Sequence, residues 1–295
     1  MKAGSLVRRP ASAWSQSNVA RAIGRVAVRS LYLELVLHPK PGLVSLHDSG
    51  AHDDMDASTF MRSLFSLRTY FIAVSRAGMN AAPMAELRRL GLDAEARMLS
   101  ATGGVNTHRG AIFTLGLLSA AAGRAAMQGQ QASDGALRDV LARYWQRDLI
   151  AVPIPAYVAA APSHGQQVAA RFRVAGARGE AVSGFPSVFE TALPALRWAL
   201  ARGADEERAR LHAFFALLAK VADTNVLYRG GAEALDDVRR GAAAFLAGGS
   251  VFAGGWRERA LALHRKCSRE RVSPGGCADL LAAACFVHQW QAVAR

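Results

Sequence analysis

The sequence predicts an all-α fold, and three observations carry that expectation. Apolar residues recur at three- and four-residue spacing along most of the chain. Strand signals are nearly absent, since no alternating apolar run is joined to another by Asn-Gly or Asp-Gly. One stretch, "GAIFTLGLLSAAAG" (110–123), is apolar almost all round, the mark of a helix buried at the centre of a fold. A single globular domain of about ten helices is expected over 18–295. Residues 1–17, "MKAGSLVRRPASAWSQS", read as a flexible basic arm.

Taken in order, residues 18–37 put Val19, Ile23, Val26, Leu33 and Leu37 on one helical face. Glu34 lies at the margin of that face, leaning into a site or reaching sideways to solvent. Residues 57–77 repeat the pattern with Phe60, Leu64, Leu67, Phe71 and Val74, and Asp56 or Ser58 is placed to cap them. Pro83 opens a helix running to about Leu99, softened at Gly91. The apolar helix 110–123 follows, N-capped by Asn106 or Thr107. Further helices are expected near 134–147, 187–201, 205–222, 232–247, 254–267 and 277–293. The stretches 128–134 and 201–205 are ordinary loops, so nothing splits the domain.

Composition narrows the class. The chain has 295 residues, 51% of them hydrophobic by type, enough for a sizeable core. No uncharged apolar run has the roughly 18 residues of a membrane span, and the first seventeen residues lack a signal peptide's apolar run. A soluble, cytoplasmic protein with no membrane partner is expected. Cys267, Cys277 and Cys285 are odd in number and form no CxxC, which argues for reduced, packed thiols rather than disulfides or zinc. The formal net charge of +13, from 36 Lys and Arg against 23 Asp and Glu, attracts anions of an unspecified kind. Its densest run, "WRERALALHRKCSRER" (256–271), is interrupted by Glu258 and Glu270 and reads as a solvated helix face rather than a nucleic-acid patch.

The chemistry-bearing residues sit where the helices stop. "KPGLVSLHDSGAHDDM" (40–55) gathers Lys40, Gly42, His47, Asp48, His52, Asp53 and Asp54, with Asp56 just beyond. Four nearby carboxylates need a counter-cation to stay ionised together. Such oxygen-rich loops suit Mg²⁺, held by one or two carboxylates plus substrate phosphates. Zinc lacks an HxxxH or cysteine partner here. In "TGGVNTHRG" (102–110), His108 and Arg109 fall in the first turn of a helix, where positive charge opposes the dipole by roughly 0.3–1 kcal/mol. An anion at that helix start, gripped also by Arg109, would remove the conflict. In "DTNVLYRGG" (223–231), Asp223 is expected at the C-terminal end of the preceding helix, where Arg229 or Mg²⁺ would offset its charge. "SPGGCADL" (273–280) offers Ser273, Gly275 and Gly276 as a backbone cradle, and "GARGEAVSGFPS" (176–187) offers Arg178 and Glu180 in a loop.

Together "HPKPGLVSLHDSGAHDDM", "GVNTHRGAIF", "SHG", "GARGEAVSGFPSV", "DTNVLYRGG" and "SPGGCADLLA" resemble the triphosphoribosyl-dephospho-CoA synthases, in that family's order, over about 30 to 290. "VSLHDSGAH" is more similar to the malonate decarboxylase branch than to the citrate lyase branch. Ser45 stands where the citrate branch has aspartate, and Arg109 where lysine is usual. The resemblance implies an all-helical enzyme that moves the 5-triphosphoribosyl group of ATP to the 2′-hydroxyl of 3′-dephospho-CoA and releases adenine. It implies Mg²⁺ with the ATP, a product passed to a holo-carrier-protein transferase, and leaves a homodimer open. The family pattern carries over at Lys40, Pro41, Gly42, Gly50, His52, Asp54, Asn106, His108, Gly110, Asp223, Asn225 and Arg229.

The expected roles follow. Asp54 and Asp48 position metal and ribose, Asp223 completes the metal site, and His52 or Glu34 is the base. Lys40, Arg109, Arg178 and Arg229 grip phosphates. Two other classes stay in view: a Mg²⁺-dependent nucleotide or ADP-ribose hydrolase, and a basic helical nucleic-acid binder, for which the acidic loop has little use.

Overall fold

The computed structural model describes residues 15–151, 168, 171–172 and 174–294. The "SHG" motif (163–165) and most of the basic arm lie outside the described residues. Among the described residues the secondary structure is helical, with no strand.

Helix α1 (Gln16–Leu35) begins earlier than expected, because the Ser15 hydroxyl accepts from Asn18 N and starts the helix there. It buries Val19, Ile23, Val26, Leu31 and Leu35, while Leu33 is only partly covered. Glu34 turns inward and is buried. The expected helix 57–77 is two helices, α2 (Ala57–Ser66) and α3 (Arg68–Met79). The Ser66 hydroxyl donates to Ser63 O at 2.7 Å just before the break, competing with the backbone ladder. Asp56, not Ser58, caps α2 through Thr59 N at 2.8 Å.

Helix α4 (Met84–Thr102) ends at Gly103 in the left-handed conformation, φ 68°. Helix α5 (Arg109–Met127) is the buried centre, packed by α1, α3, α4 and, from the far end of the chain, α13 (Gly275–Val293). It is long and apolar enough to cross a membrane, yet most of it is buried inside this fold. At Gly78 of α3 and Gly123 of α5 the helices touch backbone to backbone, so a Cβ at Gly78 would run into Ala120.

The expected 134–147 helix divides at Trp145 into α6 (Asp134–Tyr144) and α7 (Gln146–Ala151). The "GARGEAV" segment, expected as a loop, is helix α8 (Gly176–Val182). Two side chains fix it: Arg178 donates to Leu149 O at the end of α7, and Glu180 accepts from Ser187 N and Oγ. A π-helical turn, Ser187–Ala192, leads into α9 (Leu193–Ala201), then α10 (Glu206–Lys220). Helix α11 (Thr224–Ala247) starts eight residues before 232 and kinks at Gly231, φ 72°. A 3₁₀ turn (Ser250–Phe252) and α12 (Trp256–Arg269) precede α13.

The loop after α1 is pinned by close backbone packing at Gly42. Its φ is +67°, and a Cβ there would lie 3.0 Å from Cys267 Cβ and closer still to Val272 O. Gly42→Ala is therefore expected to lose about 2–3 kcal/mol of stability, from left-handed strain plus the clash. Urea denaturation checks this; an unchanged midpoint would contradict it.

Candidate functional site

A cavity of about 790 Å³ opens where these inter-helix segments meet. Its lining includes Glu34 from α1, His52 and Asp54 from the acidic loop, and Asn106, His108, Arg109 and Gly110 at the start of α5. Arg178 and Glu180 come from α8, and Asp223, Asn225 and Arg229 from α11. Ser273, Gly275, Gly276 and Asp279 come from the start of α13. Asp54 and Arg109 thus share one hollow.

The four aspartates of the loop solve their mutual repulsion by diverging. Asp48 accepts from Gly50 N at 2.9 Å and pairs with His264 of α12 at 3.1 Å, outside the cavity lining. Asp53 pairs with Arg271 at 2.7 Å. Asp56 caps α2, and the hydrogen bonds from Thr59 and Ser58 hold its carboxyl down at about 2. Asp54 alone reaches the cavity; it is largely exposed and lies 3.5 Å from His52 Nδ1.

Lys40 is not a mobile phosphate arm. It is completely buried and paired with the Glu34 carboxylate, away from the cavity lining. Burial pulls its ammonium below the usual lysine value, and Glu34 opposes that pull. His52 is fixed at both ring nitrogens: Nε2 lies 2.8 Å from Ser273 Oγ, and Nδ1 lies 3.1 Å from the Arg229 guanidinium. A guanidinium only donates, so Nδ1 is the acceptor and Nε2 carries the proton. Burial, then the Arg229 charge, lowers the His52 pKa. With its lone pair engaged, His52 is a positioned wall of the cavity rather than a free base.

The start of α5 also differs from expectation. His108 is buried and neutral, held down to about 3 by burial and then by the nearby Lys40 charge, so it adds no cation to the helix end. Thr107 donates to Ser63, and Ser63 lies 2.6 Å from His108 Nδ1. That chain leaves Nε2 without a partner among the described residues, inside the cavity wall. Arg109 pairs with Glu95, and Asn106 Oδ1 accepts from Arg109 N at 3.2 Å. The Asp279 carboxyl also lies against this helix start, where a Cβ on Gly110 would run into it.

Asp223 is likewise reassigned. It is the N-cap of α11, not the end of α10: Oδ1 accepts from Asn225 N and Val226 N, and Oδ2 accepts from Cys277 N of α13 at 2.7 Å. Its oxygens join two helix starts. Gly276 makes room for it, since a Cβ there would sit 3.0 Å from Asp223 Oδ2, and Gly275 does the same for Asn225. Of the trio Asp48, Asp54 and Asp223, the last two line one cavity and Asp48 lies outside it, while Asp223 engages its oxygens with backbone N–H groups. Among the described residues no three acidic, histidine or cysteine groups gather to hold a metal ion. The residues do not fit a resident Mg²⁺ centre.

Three charged cavity residues escaped the sequence reading. Lys220, exposed at the end of α10, and Arg239, which donates to Lys220 O and Val221 O, add cations. Asp279, half-buried in the cavity wall, adds a carboxyl. Its signal was available: it is the only charged residue between Gly275 and Val293, in an otherwise apolar helix.

The fold and the cavity thus define an all-helical protein whose inter-helix segments bring carboxyls and guanidinium groups to one hollow. The model of the CitG family, described as ATP:dephospho-CoA triphosphoribosyl transferase, matches residues 20–294. The chain belongs to that family and is a transferase. It is 43% identical over 278 residues to a probable 2-(5''-triphosphoribosyl)-3'-dephosphocoenzyme-A synthase of Azotobacter vinelandii, covering 92% of this chain and 91% of the relative. A probable synthase of the same name from Pseudomonas fluorescens is 42% identical, over 90% of each chain. One from Pectobacterium atrosepticum, named without the qualifier, is 39% identical over 90% of this chain and 88% of its own. No solved structure matches.

Proposed function

We propose that this chain moves the 5-triphosphoribosyl group of ATP to the 2′-hydroxyl of 3′-dephospho-CoA, releases adenine, and supplies the prosthetic-group precursor of a malonate decarboxylase. The pathway assignment rests on the likeness of "VSLHDSGAH" to that branch. The product then passes to a transferase that loads an acyl-carrier subunit. The three cysteines, all buried and unbonded, suit a cytoplasmic setting.

The observation that carries the reading is the pairing of carboxyls with cations around one cavity. Breaking a glycosidic bond at an anomeric carbon builds positive charge on the sugar, and a carboxylate facing that charge stabilises it. Asp54 is the loop carboxylate left in the cavity for this task. Glu34 is the base for the attacking hydroxyl, because His52 has no free lone pair. Arg109, Arg178, Arg229, Arg239 and Lys220 surround the volume in which the retained triphosphate lies. Mg²⁺ arrives with the triphosphate as part of the substrate, and Asp54 is the carboxylate of the acidic loop that the cavity offers it. The unpaired N–H of His108 is a donor for a phosphate oxygen or the purine.

Mass spectrometry after incubation with ATP, Mg²⁺ and dephospho-CoA is expected to show the triphosphoribosyl adduct, with adenine released only when the acceptor is present. ADP, phosphate or acceptor-independent adenine would replace this reading with a hydrolase. Asp54→Ala is expected to fold normally, its side chain being exposed. It should lose about 10²-fold in turnover, the low end for a group that stabilises or moves charge in the transition state. Wild-type turnover in that variant would remove Asp54 from the site.

A further inference from the structure

Within the proposed transfer reaction, we infer that Asp279 is the catalytic acid that protonates the departing adenine, working against Glu34 as the base. The inference rests on that reading of the cavity and goes beyond it by assigning the second proton-handling group.

Three observations lead there. First, Asp279 lies in the cavity wall beside Glu34, Arg109, Gly110 and Asp223. Second, its surroundings favour the protonated carboxyl. The nearest buried ammonium, Lys40, is already engaged by Glu34. The charges that act on Asp279 are Glu34 from α1 and Asp223 from the α11 cap; Cys277 lies on its own helix, His108 and Arg109 at the start of α5, and Arg178, Lys220, Arg229 and Arg239 elsewhere in the cavity lining. His108 is neutral and Arg109 is paired with Glu95, so the two charges that act on Asp279 are both negative. Burial, then Glu34, then Asp223 pushes the Asp279 carboxyl well above the usual carboxylate range. Third, α5 is shaped for it. Gly110 leaves space that a Cβ would take from the Asp279 carboxyl, so this carboxyl lies directly against the start of α5.

The step balances. The bond from the ribose anomeric carbon to the adenine N9 breaks, its electron pair leaving with adenine, and the Asp279 proton moves to an adenine ring nitrogen. The 2′-hydroxyl oxygen of dephospho-CoA forms the new bond to that carbon, and its proton moves to Glu34. One carboxyl loses a proton and the other gains one; exchange with solvent restores both. Two carboxyls held in opposite protonation states are the usual equipment for acid–base work at one sugar carbon.

The test uses the full-length enzyme with ATP and with N7-methyl-ATP, whose base leaves without needing a proton. Asp279→Asn keeps the shape of the side chain and removes its acidic proton. It is expected to lower kcat on ATP by about 100-fold or more, the scale of a missing proton transfer. KM for ATP should stay within about threefold and activity on N7-methyl-ATP within about tenfold of wild type. Equal losses on both substrates, or more than a third of the wild-type kcat on ATP, would overturn the assignment. If Asp279→Asn does not fold, the wild-type pH profile decides. The acid must be protonated to act, so kcat on ATP falls as pH rises through its pKa, while N7-methyl-ATP lacks that limb. The same limb on both substrates rejects the proposal. A wild-type enzyme that makes no adduct at all sinks the reading on which the proposal stands.

Discussion

Lys40→Met is expected to destabilise the protein by about 3–5 kcal/mol, the cost of stranding one member of a buried ion pair. Lys40 is fully enclosed, and its ammonium contacts Glu34, itself buried in the last turn of α1. Removing the cation leaves a carboxylate with its desolvation uncompensated. The loop backbone stays tethered in the variant, because Lys40 O accepts from His264 Nδ1 at 2.6 Å. The loss therefore reports the charge pair rather than an unfastened loop. Adding Glu34→Leu to Lys40→Met should recover most of the lost stability, since two apolar groups replace the pair. The double variant should stay inactive, because Glu34 lines the cavity. Urea denaturation and adduct formation separate the two effects. A single variant within about 1 kcal/mol of wild type would contradict the pairing, because that is the range of exposed pairs.

This pair also shows how far the sequence was legible. Helical periodicity located α1, and the turn chemistry around Pro39, Pro41 and Gly42 located the loop, since both depend on neighbours in sequence. The partners of the loop residues do not. His264 and Arg271, which take Asp48 and Asp53 from the cavity, lie more than 200 residues downstream. An acidic cluster in one loop therefore read as a metal site, although the fold disperses it. Asp223 misled for a local reason: one residue decides whether a carboxylate ends one helix or caps the next. Val221 is already extended, so Asp223 falls on the capping side. The α8 helix was hidden because its two glycines disfavour helix, and the contacts of Arg178 and Glu180 that hold it come from other segments. What the motifs conveyed correctly was convergence: five of the six quoted segments line the same cavity, and the sixth lies outside the described residues.

Gly110→Ala is expected to separate activity from stability. Gly110 is the second residue of α5, where alanine is intrinsically better than glycine by roughly 0.8–1 kcal/mol. Its backbone has no left-handed φ, so alanine brings no torsional penalty there. The difficulty lies opposite: a Cβ would stand 3.0 Å from Asp279 Cγ and nearer still to Oδ2. Asp279 is short, so it has to rotate away from the start of α5. The gain in helix propensity and the lost contact offset one another, and thermal melting should move by only a few degrees. Turnover should fall by about 10²–10⁴-fold, because the proton donor no longer faces the purine. Gly78→Ala provides the contrast. There the added carbon meets the backbone of Ala120, which cannot swing aside, so the damage falls on the α3–α5 contact and on melting. Wild-type turnover by Gly110→Ala would show that this face of Asp279 is not used.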